Sequence, residues 1–178
     1  IMTQTTQNAD SPNYWNLTRS LSRALMMFGT GMFGFLGVSH ALMTLASTPT
    51  GGPMTPSDPG IQAVLPSVGG LGFAPEAGVV FWDAWQGFHL SHSFGLVLFA
   101  AVALVGLRST RHASASPGLY ALLAIVPPVY LAISMNYWFS EPTAGIGLGV
   151  LLLEAGLLLF LLSDLKTSKS PLTPRSHS

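Results

Sequence analysis

Four stretches of this chain stay apolar long enough to cross a lipid bilayer, and polar, proline-rich or charged segments separate them. A hydrocarbon core about 30 Å thick takes about 20 residues of helix. The pattern predicts membrane helices over about 24–46, 79–107, 119–138 and 144–162. The second run exceeds what a span needs, so it projects or tilts. None shows the period-two alternation of a membrane β-barrel, and none reads as regular enough for a coiled coil. The expected fold class is all-α: a four-helix transmembrane bundle within 21–165, with polar tails at 1–20 and 166–178 and a long outer loop at 47–78.

Charge orients the spans. Arg19 and Arg23 precede the first, Arg108 and Arg111 lie between the second and third, and Lys166, Lys169 and Arg175 follow the fourth. All seven basic residues thus fall on one side, while Asp58, Glu76 and Glu141 fall on the other. The positive-inside rule makes both termini cytoplasmic. Phe81, Trp82 and Trp85 open the second helix and Tyr137 and Trp138 close the third, where amphipathic rings gather at a membrane interface. Residues 1–20 lack the short apolar stretch and cleavage site of a signal peptide.

Composition narrows the function classes. The chain is 49% hydrophobic and 8% charged with zero net charge, so it presents no global field to attract nucleic acid. Cysteine is absent, which excludes disulfides, thiolate catalysis and iron–sulfur clusters. No phosphate-cradling loop, nucleophile elbow or zincin helix occurs. Gly145, Gly147 and Gly149 open a membrane helix with no strand before them, so a dinucleotide reading fails. The seven methionines, Met26, Met27, Met32 and Met43 among them, share no face and read as packing filler.

The outer loop carries six prolines and six glycines between Pro49 and Pro75. Asp58-Pro59 reads as an N-cap and first helical position, predicting a short surface helix over 60–65 that stops near Pro66. Such a loop serves either as an interaction surface or as a cover for the bundle's end.

Small residues predict close helix contacts, because apolar burial alone gives a helix no preference for a neighbour over lipid. Thr30, Gly34, Gly37 and Ala41 share one face of the first helix, Gly87, Ser91 and Gly95 one face of the second, and Gly145, Gly149 and Gly156 lie on the fourth. Pro127-Pro128 predicts a bend in the third helix, removing the donors that the carbonyls of Leu123 and Ala124 would use.

Ionisable groups inside a membrane are costly and need a partner or a purpose. Trp82, Trp85, His89, His92 and Leu96 share one face of the second helix, about 130° from the Gly87 stripe at 100° per residue. His40 lies at a similar depth on the first helix, Glu154 near the middle of the fourth, and Asp83 at the mouth of the second. Three readings stand open. One is a structural network in which His89 or His92 bonds Glu154, Ser91, Asn136 or a carbonyl exposed by the prolines. Another is a metal site of His89, His92 and Glu154, a donor set suited to zinc, iron or copper. The third is a haem, quinone or proton-relay site in which His40 faces His89 or His92. His112 and His177 fall in cytoplasmic segments and read as solvated.

The run from Trp82 to Ser93 resembles a family of small, uncharacterised bacterial integral membrane proteins with a W-x-x-G-F-x-x-S-H-S block, matched here from Gly87 to Ser93. Gly37-x-x-His40, Asp58-Pro59 and Tyr137-Trp138-Phe139 extend the likeness over the core of the chain but not its tails. A looser similarity is to DoxX-like four-helix proteins. The resemblance implies a four-helix fold in a bacterial inner membrane and brings no chemistry. A polar residue often stands in that family where His89 stands here, which favours His92 as the functional histidine.

The expected function is a non-catalytic accessory or stabilising subunit of a larger membrane complex, with lipid and other membrane subunits as partners and no nucleic acid. The alternative is a membrane-embedded ligand-binding or redox protein using His40, His89, His92 and Glu154 with a metal, haem or quinone. A small transporter would need paired broken helices and an internal repeat, which the sequence lacks.

Overall fold

The computed structural model describes residues 11–66, 80–109, 116–137 and 140–168. Glu76, Arg111, His112, Trp138, Phe139, Lys169, Arg175 and His177 lie outside the described residues. Among the described residues there are five helices: α1 (Ser11–Leu45), α2 (Pro59–Val64), α3 (Phe81–Ser109), α4 (Pro117–Tyr137) and α5 (Ser140–Ser168). Four are long and apolar enough to cross a membrane, over Asn16–Leu45, Phe81–Ser109, Pro117–Asn136 and Pro142–Leu165.

Two boundaries differ from expectation. The segment expected as a polar tail is already helical from Ser11. Pro12 stands in the first turn, where its missing N–H costs nothing, and no glycine or further proline interrupts the chain before Gly29. Likewise α5 runs past 162 to Ser168, because no helix breaker occurs before Pro171. Helix α4 is continuous across Pro127 and Pro128; Pro127 is fully buried and Pro128 exposed.

Along α1 and α3 a buried seam recurs at alternating steps of three and four. On α3 it runs through Trp82, Ser93, Leu96, Ala100, Ala103 and Leu107, with half-buried Gln86 and His89 filling the gaps and Phe99 also buried beside it. On α1 the series runs Ser22, Met26, Gly29, Phe33, Gly37, His40 and Thr44. Such seams belong to helices packed at small crossing angles, a regularity not recognised in the sequence because alanine, serine, glycine and histidine occupy so many seam positions.

The chain divides into two compact units. The first comprises Ile1–Thr30 and Gly106–Ser178. In it α1 and α5 run antiparallel in close contact. A Cβ at Gly29 would stand 2.7 Å from the Gly149 carbonyl oxygen and the Leu153 nitrogen, and one at Gly156 2.7 Å from the Ser22 carbonyl oxygen. The Ser22 hydroxyl donates to the Gly156 carbonyl at 2.9 Å. Helices α4 and α5 also pack antiparallel: the Thr143 hydroxyl donates to the Ser134 carbonyl at 3.2 Å, and the Tyr120 and Phe160 rings lie 5.2 Å apart. The expected small-residue role of Gly149 and Gly156 is therefore a backbone-to-backbone contact.

The second unit is Gly31–Val105. Here α1 and α3 are antiparallel, with Phe33 edge-on to Phe99 at 5.4 Å. A Cβ on Gly34 would meet Ala100 at 3.1 Å, and one on Gly37 would meet Leu96 and the Ser93 carbonyl at 2.9 Å. These two glycines pack as expected. The stripe of Gly87, Ser91 and Gly95 does not. Gly87 is exposed with nothing within 4 Å of its Cβ position, and exposed Ser91 donates to its own Phe88 carbonyl. Gly95 is half-buried. The histidine-bearing face was expected to be distinct from the close-packing face, but it is the face that packs. Small residues on one partner suffice for close approach, and Gly34 and Gly37 of α1 already supply them.

The loop after α1 folds into a knot around Ser47. The buried Ser47 hydroxyl donates to the Met43 carbonyl and accepts from the Met54 N–H, both at 2.8 Å, while its carbonyl accepts from Gln86 at 3.3 Å. Gly52 closes the turn at φ +130°, with its Cβ position 2.5 Å from the Ser47 Cα. Gly52→Ala should therefore cost about 1–3 kcal/mol and expose the loop to protease; unchanged cleavage kinetics would contradict this. Further on, the Asp58 carboxylate accepts from the Gly60 and Ile61 N–H groups, with Pro59 opening α2 as expected. Asp58→Ala should cost about 1 kcal/mol of local stability.

A candidate imidazole site between α1 and α3

The register of the α1–α3 contact carries the site. Stepping along α1 from Gly34 to Gly37 to His40 matches stepping back along α3 from Ala100 through Leu96 and Ser93 to His89. The glycines draw the backbones together and the next seam position brings two imidazoles, tilted by 45°, into hydrogen-bond contact. His40 Nε2 lies 2.9 Å from His89 Nδ1, and the His40 and His92 rings are 5.8 Å apart. Three of the four expected site residues, His40, His89 and His92, are thus one cluster.

Aromatic rings enclose the imidazoles. Trp85 presents an edge to His89 at 4.4 Å, Phe88 stacks against His92 at 6.3 Å, and Phe81 stacks on Trp85 at 6.3 Å. The nearby hydroxyls are spent on backbone: Thr44 donates to the His40 carbonyl and Ser93 to the His89 carbonyl, each at 2.8 Å. The Trp85 indole N–H donates to the Met54 carbonyl at 3.3 Å, and Trp82 is only 6% exposed. Both tryptophans were expected as interface anchors. Trp82 is instead core, and Trp85 docks the loop knot onto the imidazole cluster.

The facing nitrogens couple two tautomers. If His40 donates, neutral His89 carries its proton on Nε2; if His89 donates from Nδ1, its Nε2 presents a lone pair. That Nε2 atom is buried with no hydrogen-bond partner among the described residues. The cluster can therefore offer a ligand either one donor or one acceptor at His89 Nε2, according to which way the shared proton lies.

The other expectations fare differently. Ser91 and Asn136, expected as histidine partners, bond their own helix carbonyls, Asn136 donating to Ala132 at 2.7 Å. Glu154 belongs to the first unit, half-buried, with Oε1 buried and unpartnered among the described residues. No group of three His, Asp or Glu residues suited to a metal occurs among the described residues. Asp83 is exposed. Ser47, Met54 and Gln86 escaped the sequence reading; the signal was Gln86, an uncharged polar residue on the seam at the start of a membrane helix.

No family model, curated protein or solved structure matches this chain.

Proposed function

We propose that the chain is a multi-pass protein of a bacterial inner membrane, with cytoplasmic termini, acting as a non-catalytic accessory or stabilising subunit of a larger membrane complex. Its kinship with the four-helix family rests on the Gly87–Ser93 block, Gly37-x-x-His40 and Asp58-Pro59. The observation that carries the functional reading is the outward stripe of Gly87 and Ser91, set between exposed Phe88 and Phe94 on a membrane-length helix. Small residues on a span let another helix approach closely, and this face is not used for packing by the described residues. Purified in mild detergent, the protein should co-migrate with other membrane subunits well above 18.8 kDa. Gly87→Leu should release them without lowering the thermal stability of the isolated chain, since nothing lies within 4 Å of its Cβ position. Migration as a lone monomer with no associated subunit would sink this reading.

A second reading, a ligand-binding or redox membrane protein, is favoured by the buried, unpartnered His89 Nε2. An absorption spectrum without a Soret band, together with no stoichiometric metal, would remove its haem and metal forms. Mass spectrometry of the lipid extract tests a quinone.

A further inference from the structure

We propose that Glu154 is a proton-binding site inside the membrane, where its protonated carboxyl donates to a backbone carbonyl that the double proline of α4 leaves without a helical donor. The proposal rests on the reading of the chain as a membrane protein and goes beyond its role as a subunit. Glu154 stands midway along the span Pro142–Leu165. Its Oε1 is buried with no hydrogen-bond partner among the described residues. An ionised carboxylate at that depth is costly and calls for a cation, whereas a neutral acid needs only an acceptor for its single O–H. Within the first unit no cation is at hand: α4 carries no Lys, Arg or His, and α1 carries none over 24–30, the stretch whose Met26 and Gly29 meet Gly156 and Leu153.

Helix α4 supplies the acceptor. Pro127 and Pro128 have no N–H, so the carbonyls of Leu123 and Ala124 lose the donors that a helix normally gives them. The α4–α5 register sets these carbonyls against Glu154. A Cβ at Gly147 would lie 3.8 Å from Leu131 Cδ1. Two turns on from Gly147 the same face of α5 presents Glu154, and two turns back from Leu131 along antiparallel α4 stands Ala124. The Thr143–Ser134 hydrogen bond and the Tyr120–Phe160 contact bracket this pairing, so the helices stay together past it. The titratable groups of α4 are Tyr120 and Tyr130, each a turn or more from Ala124 along the helix. Arg23, the nearest cation of α1, stands one turn before Met26.

Dicyclohexylcarbodiimide, which reacts with a protonated carboxyl in an apolar setting, tests the site on the full chain in detergent, with peptide mass spectrometry locating the modified residue. Glu154 should be labelled, faster as pH falls, while a water-soluble carbodiimide should label exposed Asp58 and Asp83 instead. Glu154→Gln should remove the label and the infrared absorption of a protonated carboxyl. Pro127→Ala with Pro128→Ala returns donors to both carbonyls. In that variant the infrared band should move toward that of a free acid, and labelling at a pH where it is partial should slow by about fivefold, the worth of one hydrogen bond. No labelling of Glu154, or labelling independent of pH, overturns the proton site. Protection by sodium but not by choline overturns it in favour of a metal cation. An unchanged infrared band in the proline variant overturns the carbonyl partner. Resistance of the protein to alkaline carbonate extraction reports membrane insertion separately, so failure of one reading is distinguishable from failure of the other.

Discussion

Gly156→Ala is expected to destabilise the protein by about 1–3 kcal/mol, the range for overpacking a close contact. The new methyl would lie 2.7 Å from the Ser22 carbonyl oxygen and 2.8 Å from the Met26 nitrogen. Both are backbone atoms, so no rotamer change can relieve the clash and the α1–α5 contact must open. Opening it also lengthens the Ser22–Gly156 hydrogen bond, now 2.9 Å. Gly29→Ala should behave alike, since its methyl would meet the Gly149 carbonyl oxygen and Leu153 nitrogen. Gly31 and Gly87 are internal controls, each with nothing within 4 Å of the Cβ position. Alanine there should be neutral or should stabilise by up to about 1 kcal/mol through helix propensity. Thermal melting in detergent compares the four. Gly156→Ala melting with Gly31→Ala would mean that the α1–α5 contact is absent.

His89→Leu should be the second most damaging change, at about 1–3 kcal/mol, because it leaves His40 Nε2 half-buried without its partner. His40→Leu should do the same to His89 Nδ1. Replacing both removes donor and acceptor together, so the double variant should be less destabilised than the sum of the singles. The coupling between polar side chains in membrane proteins averages about 0.6 kcal/mol and reaches about 1.7. A double-mutant cycle by thermal or denaturant unfolding measures it. Strict additivity would show that the 2.9 Å contact contributes nothing. His92→Leu serves as a comparison, testing whether the third imidazole shares the coupling or only the enclosure.

The relation between the two histidines shows how far residue patterns reach. His40, His89 and His92 were legible as one depth-matched group, because helical rise alone places them at similar levels. Which nitrogen faces which was not legible, since it depends on the register set by Gly34 and Gly37 against Ala100 and Leu96. The Gly87 stripe was read as the packing face of α3 by the same logic that correctly picked Gly34 and Gly37. A small-residue stripe identifies a face able to pack closely without identifying whether a neighbour in the same chain takes it.

By sequence alone the chain specifies an all-helical protein with four membrane-length spans, a capped turn of helix at Asp58-Pro59 and basic residues gathered toward the ends of the spans. Those features depend on local hydrophobicity, capping chemistry and charge, each carried by residues close in sequence. The tertiary structure decided that Trp82 is core, that Trp85 and Gln86 hold the loop knot at Ser47, and that Glu154 and the imidazoles belong to different units. These are contacts between residues far apart along the chain, selected by which helix faces fit together. Steric fit of that kind belongs to pairs of helices, and no single helix encodes it.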